Sequence, residues 1–517
     1  MALAGWFARA AAVAGAAGVS RLAVSPTQWR QAAEEFAALD GRLIALWASG
    51  APGTGIVRAA LAAAQGVIVL ELLLAADAPH YPGLEDAFPA AGRMQRAVHD
   101  LNGAASTDRD QRPWLRHSGW PDGYRPLVDG TPAGLGSEAG QASAAVPDRY
   151  AFVRVEGDGV HEIPVGPVHA GIIEPGHFRF SIVGEKVLRL EERLGYTHKG
   201  IEQRFAGMTL AAGHRLAARV SGDSAAAYSW AYAQALEGLC AAEVPARAAR
   251  LRAVCLELER IANHLGDLGA LGNDAGFAFG LSQFSRLKEA LLRATEQAWG
   301  QRYLMDAIVP GGTRADLTPV AADALADCVA GVAAQSALLQ GIYDENSGVR
   351  DRFLGAGRVS PALAAKLGLT GLAGRASGQA FDRRVDQPWA PYDEFAPRKC
   401  GRTEGDVAAR VAVRFEELAD SCRLVRALLE DLPAGSHRAA LAEPPDGGVG
   451  VGLIEGWRGP VLIGLEAGPE GTIRRCHPHD PSWQNWPVLE HAIIDNIVPD
   501  FPLINKSFNL SYSGHDL

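Results

Sequence analysis

The sequence predicts an α+β chain, and three observations predict it. Four long stretches carry apolar residues three and four apart, with charged residues between them. Shorter, glycine-punctuated stretches alternate apolar and polar residues or run apolar for a strand's length. A segment rich in Gly, Ala, Ser and Pro, with almost no large apolar side chain, separates a small first part from a large second part. The expected layout is a small α/β domain over 1–127, a flexible linker over 128–149, and a large, mainly helical domain over 150–517. That domain has small β regions at its start and near its C-terminus.

In chain order, the alanine-rich start (MALAGWFARAAAVAGAAGVSRL) lacks the basic-then-apolar order of a secretory signal and reads as a first helix. Residues 29–47 have helical spacing. The run 66–76 (GVIVLELLLAA) contains Glu71 and suits a buried strand. The linker VDGTPAGLGSEAGQASAAVPDR cannot bury enough surface to offset its ordering entropy. Residues 150–164 alternate as a short β region, and the pattern is helical from 182 to about 373. Helical periodicity is clearest in 251–271, 284–299, 320–342 and 406–432, which implies a bundle. Residues 447–474 become glycine-rich and strand-like, with a turn at 468–471.

Composition narrows the function classes. Of 517 residues, 48% are hydrophobic and 21% charged, so a large core can be buried. A net charge of −10 argues against a nucleic-acid surface. No uninterrupted apolar run reaches the roughly 18–20 residues of a membrane span. The six cysteines (240, 255, 328, 400, 422 and 476) are isolated, whereas zinc and iron–sulfur sites need closely spaced thiolates. They read as buried, inert thiols of a reduced, intracellular protein. A glycine-rich dinucleotide motif is absent, so NAD binding is unsupported.

The densest chemistry lies in 166–205, GPVHAGIIEPGHFRFSIVGEKVLRLEERLGYTHKGIEQRF. It packs Glu174, His177 and Arg179 into one loop, then runs through Glu191, Glu192, Arg193, His198, Lys199 and Glu202 at helical spacing. Taken with the rest of 166–517, this stretch resembles the large subunit of membrane-bound, energy-converting nickel–iron hydrogenases and the 49-kDa quinone-site subunit of respiratory complex I. HYPGLEDAFPAAGRMQRAVHDLNG in the first domain, with Arg93, Arg96, Asp100 and Leu101, resembles the 30-kDa-type subunit of complex I, a docking module. Fusion of the two resembles the large subunit of formate hydrogenlyase-type complexes.

The resemblance implies two Cys-x-x-Cys pairs holding nickel and iron, because the bimetallic centre needs soft thiolates. Here the first element reads Arg219-Val220-Ser221-Gly222-Asp223-Ser224, and the second runs from Asn509 to Leu517 with Ser511 and Gly514 at the cysteine positions. All four ligands, Ser221, Ser224, Ser511 and Gly514, are degenerate, and no metal is expected. Tyr228 stands at the usual histidine, and Arg219 at the tyrosine that complex I uses toward quinone. His169 and His177 remain on the first β loop.

The resemblance then implies a polar pocket. Its catalytic candidates are Glu174, Asp223 and His177, and its lining is His169, Arg179, Tyr228, Arg458, Ser511 and His515. Arg458 lies in a Glu-Gly-Trp-Arg-Gly element like the one whose arginine overhangs the hydrogenase site. Carboxylates in a dry pocket gain proton affinity, so Glu174 and Asp223 are expected to relay protons near neutrality, with Asp223 compensated by Arg458 or Arg179. Any one of these residues taken alone is most simply a satisfied structural polar group.

The run 191–204 is expected on a solvated helix or facing membrane subunits. The implied role is a subunit of an ion-translocating redox complex, peripheral on the cytoplasmic face of the inner membrane, that serves a quinone-type acceptor or proton-coupled energy transduction. A non-catalytic coupling scaffold is the alternative, and a true nickel–iron hydrogenase the remote one. The implied partners are a small iron–sulfur subunit, a ferredoxin-like subunit and antiporter-like membrane subunits. Iron–sulfur clusters would be held by those partners.

Overall fold

A computed structural model describes residues 2–50, 54–75, 80–117, 119–130, 150–169 and 173–517. The segment expected as a linker lies, from 131 to 149, outside the described residues.

The N-terminal region is a five-stranded sheet in the order Ala11–Ala12, Val19–Ala23, Gly66–Leu73, Ile56–Ala63, Arg42–Ser49. Val19–Ala23 runs parallel to Gly66–Leu73, and the other pairs are antiparallel. Ser25 starts the helix Pro26–Ala38 with a capping box, accepting from the Gln28 N–H while its own N–H donates to the Gln28 side chain. The helix buries Trp29 and Phe36 on the sheet. Two expectations fail here. The helical spacing over 29–47 stops at Ala38, and Trp47 lies on a strand. The N-terminal helix is only Ala2–Arg9, after which the chain turns into strands. In both places the alanines fit either periodicity, and sheet pairing decides.

The large region begins with a sheet in which His177–Val183 is flanked by Lys186–Arg193 and Val160–Val165. The expected helical pattern therefore begins at Ile201 rather than at 182, and of the charge run expected at helical spacing only its end, Glu202, falls on a helix. Glu191, Glu192 and Arg193 are on a strand and buried. Partners from distant elements make that burial tolerable: Arg93 reaches Glu192 at 3.1 Å and Glu490 at 2.7 Å, and Arg112 reaches Glu191 at 2.7 Å. Burial and the facing Glu490 raise the Glu192 carboxyl well above the usual range, against the pull of Arg93.

The expected bundle is present. Ala246–Asp274, Ala278–Trp299, Pro319–Glu345 and Val407–Glu430 pack against one another around Phe284, Tyr343 and Phe415. Pro319–Glu345 is long and apolar enough by composition to cross a membrane, although polar residues interrupt its sequence, and one face of it packs in this bundle. A second sheet, Ile473–His479, Pro460–Ala467 and Val449–Glu455, lies on the helix Ala225–Leu239. Its edge is completed by Ala14–Gly15 from the N-terminal region, running parallel to Val449–Glu455. Five cysteines are buried and Cys328 is half-buried.

Candidate functional site

The four positions expected to hold nickel come together at the N-terminus of the helix Ala225–Leu239, where Tyr512–Asp516 folds back onto it. Ser511 Oγ lies 2.8 Å from Ser221 Oγ. Ser221 donates its own proton to Asp223 Oδ1 at 2.7 Å, so Ser511 donates to Ser221. Ser511 Oγ in turn accepts from the Gly514 N–H at 2.8 Å. Arg458 closes the other side. It donates to Asp223 Oδ1 at 2.8 Å, to Asp223 Oδ2, to Ser224 Oγ at 3.4 Å and to the Asn509 carbonyl at 2.5 Å. The sequence expectation that Asp223 is compensated is met by Arg458. Arg179 instead pairs with Glu162 on the neighbouring strand, at 3.0 Å.

Asp223 does not gain proton affinity. Burial opposes its ionisation, but the Arg458 charge and the hydrogen bonds from Arg458 and Ser221 outweigh burial and hold its carboxyl at about 2. A carboxylate so held is a fixed charge near neutral pH, so the expected relay role for Asp223 lacks its physical basis. The group whose proton affinity does rise is Glu259. It caps the same helix, accepting from the N–H groups of Ala226 at 2.6 Å and Ala227 at 3.2 Å, and burial pushes its carboxyl up to about 8. Sequence reasoning missed it, because on the 251–271 periodicity it reads as one of many charges on a helix.

The remaining candidates separate. Glu174 accepts from the hydroxyl of Ser513 and, at 3.3 Å, from its N–H, which joins the β loop to the C-terminal element. Lys199 donates to the carbonyls of Ser513 and Val220, both at 3.2 Å, and so ties that element to the Ser221 turn. His169 Nε2 and His177 Nδ1 bond backbone carbonyls of their own loop, Gly176 at 2.8 Å and Gly166 at 3.1 Å. Tyr228 is buried and donates to Asp480 Oδ2 at 2.9 Å. His515 is also buried. Its Nε2 accepts from the Trp114 indole at 3.3 Å, so the ring proton is on Nδ1, which donates to Asp516 at 2.8 Å. Burial keeps it neutral, and it stacks on Trp483 at 4.0 Å. Tyr228 and His515 are thus engaged with protein and do not present a free atom to a ligand, contrary to expectation.

These residues do not fit a nickel–iron centre. Three hydroxyls and a glycine replace four thiolates, and a hydroxyl is a hard, neutral donor. Asp480 supplies a second, steric reason. Its carboxylate lies where a side chain at 514 would begin, and Ser511 Oγ stands 3.0 Å from that point. Asp480 was not singled out from sequence. Its one signal is the Asp-Pro pair opening the helix Ser482–Ala492, where its Oδ1 accepts from Ser482 N–H at 2.9 Å.

Comparison with known proteins agrees with this architecture. Residues 274–446 match the family model described as the respiratory-chain NADH dehydrogenase 49 Kd subunit. Formate hydrogenlyase subunit 5 of Escherichia coli K12 is 29% identical over 468 residues, covering 87% of this chain and 79% of its own length. The carbon monoxide-induced hydrogenase of Rhodospirillum rubrum is 30% identical over 352 residues, 68% of this chain and 97% of its own length. In fold, the chain matches a solved chain of the membrane-bound sulfane sulfur reductase, an archaeal respiratory membrane complex. The TM-score is 0.65 at 24% identity, over 69% of this chain and 99% of that one. With its hydrogenase-type helix and C-terminal element converging on one network, the chain belongs to the family of the 49-kDa subunit of respiratory NADH dehydrogenase and the related large subunits of membrane-bound hydrogenases.

Proposed function

We propose that this chain is the large subunit of a membrane-associated, ion-translocating redox complex that works without a nickel–iron centre. It would couple electron delivery to a quinone-type acceptor with ion movement. Iron–sulfur clusters in a small partner subunit and a ferredoxin-like subunit would supply the electrons, and antiporter-like membrane subunits would move the ions. The complex would sit on the cytoplasmic face of the inner membrane, with this chain peripheral. The single observation that carries the reading is the Ser511–Ser221–Asp223–Arg458 network, which keeps the hydrogenase-type framework and replaces its metal ligands with a closed set of hydrogen bonds. Within it Asp223 and Arg458 are a fixed charge pair. Of the two carboxylates expected from sequence to relay protons, Glu174, on the half-buried loop and bound to Ser513, remains. A coupling scaffold is the second reading, favoured by the engagement of Tyr228 and His515 with protein groups.

The test replaces Glu174 by Gln and Asp223 by Asn in the assembled complex and measures electron transfer and ion translocation. The first reading expects Glu174→Gln to slow translocation at least tenfold. Unchanged rates in both variants, with normal assembly, would put the scaffold ahead.

A further inference from the structure

A cavity of about 310 Å3 opens on the far side of Asp223, between the helices Ala246–Asp274 and Ala278–Trp299. Its walls are mainly apolar, with Leu258, Ala262, Leu292, Leu304 and Met305 among them. That volume lies at the lower end of the roughly 300–1,000 Å3 of small-molecule sites, enough for one ring or a short chain.

The charges in its wall do not balance internally. Asp223 is matched by Arg458, and Arg302 at the rim is matched by Glu289 at 2.5 Å. Glu259 carries little charge at neutral pH, since burial pushes its carboxyl up to about 8. Asn263 spends its amide protons on the carbonyls of Asp223 and Glu259, at 2.8 and 2.9 Å. Lys288 is left. It lines the cavity, is half-buried, and makes no ion pair or hydrogen bond among the described residues. The chain makes room for it: a side chain at Gly266 would begin 2.8 Å from Lys288 Nζ, so the ammonium rests over bare backbone. Burial and the nearby Lys506 charge lower its pKa, while Asp267 and Asp223 act the other way. A cation held at an apolar wall without a partner is unfavourable unless a counter-charge arrives. A solvated lysine would carry its head outward instead.

We infer that this cavity binds a small organic monoanion, a carboxylate with a single ring or short chain, its charge on Lys288 and its apolar body against Leu258, Leu292 and Met305. One unpartnered ammonium, with the Arg302 guanidinium already held by Glu289, suits one negative charge, and a phosphate dianion would keep charge unmatched against apolar walls. A neutral ligand would leave the ammonium uncompensated. The inference goes beyond the acceptor reading and does not depend on it, because it concerns equilibrium binding to the isolated chain.

Sodium benzoate and its neutral isostere benzamide are the probes, titrated calorimetrically into the full-length chain. Benzoate is expected to bind saturably at one site, with benzamide about tenfold weaker or worse. Lys288→Met keeps the stem and removes the charge. It should weaken benzoate about tenfold and leave benzamide unchanged. Equal affinity for the two probes, undiminished benzoate binding by Lys288→Met, or no saturable binding up to the solubility limit would each overturn the proposal. Should Lys288→Met fail to fold, reductive methylation of the unmodified chain decides. Peptide mass spectrometry should show Lys288 methylated about fivefold more slowly in saturating benzoate and at the usual rate in benzamide. An unchanged rate in benzoate refutes the site.

Discussion

At Gly514 the chain gives up a side chain, and Asp480 fills the space. Restoring a cysteine there therefore does more than add a ligand. Gly514→Cys must displace a buried carboxylate that also accepts from Tyr228, an overpacking that typically costs about 1–3 kcal/mol. The expected result is a lower melting temperature with no gain in nickel, read by calorimetry and metal analysis of the purified protein. Stoichiometric nickel in the unaltered chain would defeat this account. Glu259 gives a pH prediction. Its carboxyl rises from the ordinary 4.5 to about 8 on folding, so the native state holds a proton that the unfolded chain releases. Its contribution is fully present below about pH 4.5 and is lost as the pH climbs toward 8. The loss over that window amounts to a few kcal/mol, on the order of 1.4 kcal/mol per pH unit. Urea midpoints from pH 5 to 8 should fall for the unaltered chain, and fall less steeply for Glu259→Gln, which keeps an acceptor for the Ala226 N–H.

Among the elements, the strand Val449–Glu455 shows how a sequence pattern becomes packing. Its alternate glycines face the helix Ala225–Leu239. A side chain at 450 would begin 2.5 Å from the Ala235 carbonyl, and one at 452 would run into the Ala231 carbonyl. Residues 231 and 235 are one helical turn apart, so the bare stripe lets strand and helix backbones touch. Gly452→Val is expected to abolish soluble expression, and Gly450→Ala to lower the thermal midpoint while leaving some folded protein. Equal midpoints for Gly450→Ala and the unaltered chain would show that the close approach is dispensable. This strand was legible because glycines at every second position leave few other readings, and the bundle was legible because 3.6-residue periodicity persists over several turns. The strand Lys186–Arg193 was not. Its Glu191-Glu192-Arg193 run looks solvated until Arg93, Arg112 and Glu490 arrive from far along the chain. The site was half legible for the same reason. The serines could be placed by their resemblance to metal-binding elements, whereas the partners that settle protonation, Asp480, Glu259 and Lys199, come from tertiary packing.

On the scale of the molecule, the N-terminal region and the C-terminal sheet share a core. Val13, Trp47, Val451, Leu453 and Leu462 pack together, Trp47 stacks on His477 at 5.3 Å, and Arg58 pairs with Glu466 at 2.5 Å. A chain beginning at residue 150 would expose that apolar surface and strand the Glu466 charge. It is expected to be recovered largely in inclusion bodies, and co-expression with residues 1–149 should restore solubility. A soluble, monomeric 150–517 fragment with an unchanged melting temperature would show that the shared core is not needed.

The central network also has a consequence in time. Ser221 meets Ser511 across 290 positions, Asp223 meets Arg458 across 235, and Glu174 meets Ser513 across 339. A ribosome adds roughly 5–20 residues per second, so tens of seconds separate the two halves of each pair during synthesis. For that interval Asp223 and Glu174 have no partner, and the loops to be closed are long, which slows folding. The site is thus among the last parts of the molecule to form, and a nascent chain arrested before Arg458 should be a substrate for chaperones rather than for its partner subunits.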